Sequence, residues 1–161
     1  MSNKTIDSRD RQILAMLQEN ARLSNAAIAR ELGMAPSAVL ERIRKLERRG
    51  VILGYQARID PKALGLGLTA FTFVRAEEPV GSIDSGQYLA ELPEVMEVHH
   101  CAGRDAYLIK SRVADTEDLG RLLRAIGRNP AVRDTNTTVV LATVKETLAM
   151  PSGHGKENGD E

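Results

Sequence analysis

From Leu23 to Gly50 the chain reads LSNAAIARELGMAPSAVLERIRKLERRG. Ser24 is placed to cap a helix, because its hydroxyl can accept one of the backbone N–H groups left without a partner in the opening turn. Ala27, Ile28 and Leu32 then recur at helical spacing, and Gly33 ends the run where a left-handed backbone needs a residue without a Cβ. Pro36 suits the first position of a second helix, since its ring presets φ and its missing N–H has no partner there anyway. In that helix Val39, Ile43 and Leu46 form an apolar stripe. At about 100° per residue, Ser37, Glu41, Arg44, Lys45 and Arg48 fall on the opposite side. The spacing predicts a helix-turn-helix.

A charged outer face suits any solvated amphipathic helix as well as one that touches a polyanion. Two features favour double-stranded DNA as the partner. Between Ala38 and Gly50 there are five basic residues, Arg42, Arg44, Lys45, Arg48 and Arg49, against only Glu41 and Glu47. Upstream, Asp7 to Glu19 predicts a third helix, capped by Asp7, with Ile6, Ile13, Leu14 and Leu17 on one face to bury the other two. On this pattern Ser37, Glu41 and Arg44 lie nearest base edges, while Arg42, Lys45, Arg48 and Arg49 meet phosphates and Ser24 and Pro36 set the helix starts.

Over all 161 residues, 22 basic and 22 acidic side chains cancel. The halves do not match: residues 1–60 hold eleven basic against seven acidic side chains, and residues 61–161 hold eleven against fifteen. Such asymmetry suggests a nucleic-acid module joined to something else. The length allows one large or two small domains. The single cysteine, Cys101, excludes an internal disulfide and a cysteine-cluster zinc site. The start MSNKTIDSRD is too polar for a signal peptide, and no apolar run reaches the roughly 18 residues of a membrane span. A cytoplasmic protein without a membrane partner is expected.

After Gly50 the period changes. Val51, Ile52, Tyr55 and Ile59, closed by Asp60-Pro61, read as an extended segment leaving the first domain. A strand is expected through Ala70, Phe71, Thr72, Phe73 and Val74, then a helix from Ser85 to Leu92 stopped by Pro93. Two extended runs, Val95–Cys101 and Tyr107–Val113, should form a hairpin. A further helix begins near Asp115, with Thr116 and Asp118 as cap and first-turn acid, and buries Leu119, Leu122, Leu123 and Ile126 before Gly127 and Pro130 end it. A last strand is expected from Thr137 to Val144. The fold class is therefore α+β: a winged-helix-like helix-turn-helix domain, then a βαββαβ, ferredoxin-like domain. The boundaries expected are 1–52 for the first, a linker strand or hinge over 53–64, the second over 65–150, and a disordered polar tail over 151–161. Helices on one side of such a sheet leave its other side open. Phe71, Phe73, Val139 and Leu141 alternate as one strand face would, either toward their own helices or toward a second copy of the chain.

Gly50-Val51-Ile52 just after the last helix, Gly54-Tyr55 beyond it, and a βαββαβ domain with Gly103, Tyr107 and the Thr135-x-Thr137 pair together resemble the Lrp/AsnC family of bacterial and archaeal transcription regulators. The resemblance runs from Ile6 to Lys145. It implies a sequence-specific, nucleoid-associated regulator whose second domain builds homodimers, tetramers or octamers and binds a small-molecule effector, often an amino acid, between dimers. Carried over by position, the effector site comprises Gly103, Arg104, Asp105, Ala106 and Tyr107, with Thr135 and Thr137 opposite. Gly103 lets backbone approach a ligand closely, Arg104 can meet a carboxylate, and the threonines offer hydroxyls. The chain departs from the family at two places. Ala106 stands where an acidic residue is usual three positions after the glycine, with Asp105 one place earlier. Ala35 stands where a capping serine is common.

Other chemistries are less well served. His99, His100 and Cys101 are zinc-ligand types, but adjacent strand residues point to opposite faces, so His99 and His100 do not easily share an ion. Decarboxylases of the haem pathway share the second fold, yet they carry aromatic-rich motifs and this chain has no Trp, two Phe and three Tyr. With no Gly-rich phosphate loop, nucleophile motif or close carboxylate pair, no enzyme, cofactor or metal is expected. A third possibility is an architectural protein that wraps DNA with no effector.

Overall fold

The computed structural model describes residues 6–151. Residues 152–161 of the expected disordered tail lie outside the described residues. The described chain divides into two compact units, one of residues 6–57 together with 146–151, the other Arg58–Lys145. The return of residues 146–151 to the first unit was not expected from the sequence. Its visible tie is the Gln18 amide, which accepts from the Met150 N–H at 2.6 Å and donates to the Met150 carbonyl at 3.3 Å.

In the first unit, helices α1 (Ser8–Glu19), α2 (Asn25–Leu32) and α3 (Pro36–Arg48) form where the caps demand. Asp7 and Asp10 cap α1 reciprocally: the Asp7 carboxylate accepts from the Asp10 N–H at 2.8 Å, and the Asp10 carboxylate accepts from the Asp7 N–H at 3.4 Å. The Ser24 hydroxyl accepts from the Ala27 N–H at 3.1 Å. Gly33 closes α2 in the left-handed region, φ +63°, where any side chain is strained. Ile13, Ile28, Ala29, Val39 and Ile43 form one buried cluster, with Leu46 also buried at the end of the same stripe. Ala29 is buried in it, while Ala27 is only half-buried.

The second unit carries β1 (Leu68–Ala76), α4 (Asp84–Ala90), β2 (Val95–His100), β3 (Tyr107–Val113), α5 (Thr116–Ile126) and β4 (Val132–Val139). The antiparallel sheet runs in the order β2-β3-β1-β4, which is the βαββαβ arrangement expected. Alternation sorts its faces. Ala70, Thr72 and Val74 of β1 and Tyr107, Ile109, Ser111 and Val113 of β3 are buried. The apolar ones pack against Leu89 of α4 and Leu119, Leu122 and Ile126 of α5. Tyr88 ties the helices together by donating to the Ala125 carbonyl at 2.7 Å.

Several boundaries differ from the sequence reading. Among the described residues no strand forms between α3 and β1. Residues 53–60 are exposed and find no ladder partner within the chain, and only a 3-10 turn, Pro61–Leu64, follows. The last strand is Val132–Val139 rather than Thr137–Val144, because its extent is set by pairing with β1 from Ala76↔Val132 to Ala70↔Val139. The polar start VRDTN carried no apolar alternation to announce it. Asp115, not Thr116, caps α5 by accepting from the Asp118 N–H at 2.9 Å. Val139 pairs with Ala70 and so lies on the helix side of the sheet, apart from Phe71 and Phe73; Leu141 lies beyond β4 altogether.

Candidate nucleic-acid interface and ligand loop

Helix α3 divides cleanly. Val39, Ile43 and Leu46 are buried, while Ser37, Glu41, Arg44, Lys45 and Arg48 are all exposed. Pro36 occupies its first turn and Ala35 supplies no side-chain cap. Glu41 pairs with Arg44 at 3.4 Å, so the one acid on the outer face stands beside a cation. Glu47, the other acid, accepts from the Tyr55 hydroxyl at 3.1 Å. Arg49 is the half-buried C-cap residue.

Arg42 departs from the expected phosphate set. Its Nη1 lies 2.6 Å from the Asp7 carboxylate and 2.7 Å from that of Asp10, so the guanidinium staples α3 to the start of α1. The bonds to Asp7 and then Asp10 raise the guanidinium's affinity for its proton. Asp7 is held below the usual carboxylate range, first by the Asp10 N–H and then by Arg42. A basic residue on a basic helix gives no sequence signal of this exchange; the capping box brings both carboxylates to one spot, and Arg42 answers them.

At the other candidate site, the loop from Cys101 to Ala106 is closed by the Cys101 N–H donating to the Ala106 carbonyl at 2.8 Å. Gly103 has φ +144° and open space where a Cβ would stand, and Arg104 is exposed. Asp105 is half-buried, while Ala106 packs its methyl against the sheet core. Tyr107 is 1% exposed and belongs to that core. Its hydroxyl donates to Glu78 Oε1, and Glu78 Oε2 accepts from the Ser85 N–H at 3.1 Å. The ring passes so close to Gly86 that an added Cβ would sit 2.6 Å from Tyr107 Cε1. On its other side His100 stacks at 5.1 Å between ring centroids and 28° between planes. Burial, then the Glu78 carboxylate, pushes the Tyr107 hydroxyl up to about 12. Burial also pulls Glu78 upward, but the bonds from Tyr107 and Ser85 outweigh it and leave Glu78 below its ordinary value.

Thr135 and Thr137 reach the same face but not the loop. The pairing sets His100, Tyr107, Val74 and Thr135 in one row across the sheet. At a strand spacing near 4.8 Å, Thr135 therefore stands about 10 Å from Tyr107. The Thr137 hydroxyl bonds that of Thr72 at 2.9 Å. His99, on the opposite face, is 3.2 Å from Glu97, and among the described residues no group of three His, Cys, Asp or Glu could hold a metal ion. Glu78 and Gly86, which fix Tyr107, gave no sequence signal because one lies in the loop after β1 and the other in α4, with no shared spacing; His100 was read from sequence only as a zinc-ligand type.

Residues 6–52 match the winged helix-turn-helix DNA-binding family, and residues 69–150 match the Lrp/AsnC ligand binding domain. The chain belongs to the Lrp/AsnC family. It is 38% identical over 149 residues to the leucine-responsive regulatory protein of Haemophilus influenzae, covering 90% of this chain and 89% of that one. Among solved structures it is similar to the feast or famine regulatory protein of M. tuberculosis in complex with L-methionine, 34% identical with a TM-score of 0.84 over 91% of this chain and 99% of that one. It is also similar to a transcriptional regulator of Neisseria meningitidis in complex with L-Met, 28% identical with a TM-score of 0.82 over 93% and 99%. This Lrp/AsnC protein is a DNA-binding transcriptional regulator. Its relatives and families are regulators, not enzymes, which sets the decarboxylase alternative aside. Among the described residues no helix is long and apolar enough to cross a membrane.

Proposed function

We propose that this regulator reads DNA with residues 1–52 and senses an amino acid with residues 65–150, acting in the cytoplasm on the nucleoid. The observation that carries the DNA assignment is the division of α3 into a buried apolar stripe and an exposed row of Ser37, Glu41, Arg44, Lys45 and Arg48. Ser37, Glu41 and Arg44 face base edges; Lys45, Arg48 and Arg49 meet phosphates, with Ser24 and Pro36 fixing the helix starts. Arg42 contributes by holding α3 in place. Arg48→Ala should weaken binding to every sequence and lower the slope of log affinity against log salt by about 0.9 for each phosphate it no longer neutralises. An unchanged slope in gel-shift titrations would remove Arg48 from the interface.

The effector assignment is supported by the open, positive-φ Gly103 beside exposed Arg104, on a loop rooted in the buried Tyr107, and by L-methionine in two similar proteins. The ligand lies against the loop Gly103–Ala106 of one dimer, rooted in the buried Tyr107, and Thr135 and Thr137 complete the site; strand β1 lies between the two within one chain, so a neighbouring copy has room to contribute. Homodimers form through the outer sheet face, where Phe71 and Phe73 are 37% and 42% exposed, and assemble further to tetramers or octamers. A thermal-shift screen of the twenty amino acids tests this: a ligand at 100 times its Kd adds about 2.7 kcal/mol to the folded state. Ala106, whose methyl is turned into the core, favours a second reading in which the protein organises DNA without an effector. No shift with any amino acid would select it.

A further inference from the structure

His100 is an exposed imidazole held with unusual care. Tyr107 forms its floor, and Tyr107 is itself fixed on every side: buried in the core, bonded through its hydroxyl to Glu78, and given room by Gly86. Glu78 in turn is anchored by the first turn of α4 through the Ser85 N–H. A solvent-facing side chain normally keeps its rotamer freedom, whereas a ring stacked on such a floor has already lost it, and that is the condition under which a side chain binds a ligand at low entropic cost. His100 also stands at the mouth of the loop, directly paired with Tyr107, one residue before Cys101 closes the turn that presents Gly103 and Arg104. Its neighbour His99 lies on the other face beside Glu97 and shares none of this.

We propose that His100 is a ligand-contacting residue of the effector site, its ring edge donating a hydrogen bond to the carboxylate of a bound amino acid alongside Arg104. The inference rests on the amino-acid reading above. The groups facing His100 are Tyr107 beneath it and the Glu78 carboxylate close enough to act on it electrostatically. The ring is held flat on Tyr107 with its edge to solvent, so a ligand carboxylate takes the outward position, away from the Glu78 carboxylate. With Ala106 offering only a methyl and Asp105 itself an anion, the loop's side-chain contacts to the ligand carboxylate come from His100 and Arg104, which makes His100 a determinant of which amino acid is sensed.

The test uses the full-length protein and isothermal titration with L-methionine and any other amino acid that stabilises it. His100→Gln and His100→Phe are compared with wild type and with His99→Gln. Phe keeps the stack on Tyr107 but has no ring nitrogen. At least a tenfold loss of affinity in both His100 variants is expected, with His99→Gln unchanged. Melting temperature and DNA affinity without ligand should stay at wild-type values. Wild-type amino-acid affinity in His100→Phe would overturn the proposal while leaving the effector reading intact. If wild type binds no amino acid at all, the effector reading itself fails.

Discussion

Arg42 and Arg48 are both arginines of α3, six residues apart, yet they do different work. Arg42 neutralises Asp7 and the nearly buried Asp10, 7% exposed, so its loss strands a carboxylate inside the domain. Arg42→Ala should destabilise the first unit by about 1–2 kcal/mol in chemical denaturation, the partial exposure of the pair trimming the value for a fully buried one. Arg48→Ala should leave that stability unchanged. Asp7 has a lowered native pKa, so its contribution is complete above its unfolded value of 3.8 and is lost as pH falls through the native one. The stability gap between wild type and Arg42→Ala should accordingly narrow below about pH 4. In the second unit, Gly86→Ala pits a methyl against a Tyr107 ring that Glu78 and the core hold still. The helix-propensity gain is outweighed, and a net loss of about 1–2 kcal/mol is expected in thermal melts.

Among the elements, α3 begins without a side-chain cap, whereas α1 and α2 both have one. Ala35 already has the extended backbone of an N-cap, φ −74° and ψ 140°, so a serine hydroxyl there needs no rearrangement. Ala35→Ser should raise the stability of the first unit by about 0.5–1 kcal/mol, read as a higher melting temperature. Its effect on DNA binding should be small and uniform across sequences, since Ala35 precedes the face that carries Ser37 and Arg44. The segment between α3 and β1 and the strand β4 make the opposite point. Val51 and Ile52 close α3 by donating to the Leu46 carbonyl and residues 53–60 form no strand for want of a ladder partner within the chain, while the polar VRDTN enters one because β1 offers it a ladder.

At the scale of the molecule, each unit has its own buried cluster, one around Ile13 and Ile28, the other around Ile109 and Tyr107. Ile28→Ala should therefore lower the stability of the first unit by about 2–5 kcal/mol, and DNA binding should fail at a lower temperature. The ligand-induced stabilisation of the second unit should persist, as calorimetry resolving the two transitions would report. The helices of the first unit, their caps and the buried stripe of α3 were legible because period, cap chemistry and glycine placement are local properties that the chain carries in its own order. So was the βαββαβ order, and with it the family. The loop at Gly103 was legible as well, through a resemblance of position. The partners were not. That Arg42 turns to Asp7 and Asp10, that Val139 and Phe73 lie on opposite faces, that β4 begins at Val132, and that Tyr107 is a floor fixed by Glu78 and Gly86 beneath His100 are all consequences of contacts between residues far apart in sequence. Such contacts are set by strand register and by which buried charge finds which donor, and those exist only once the chain has folded.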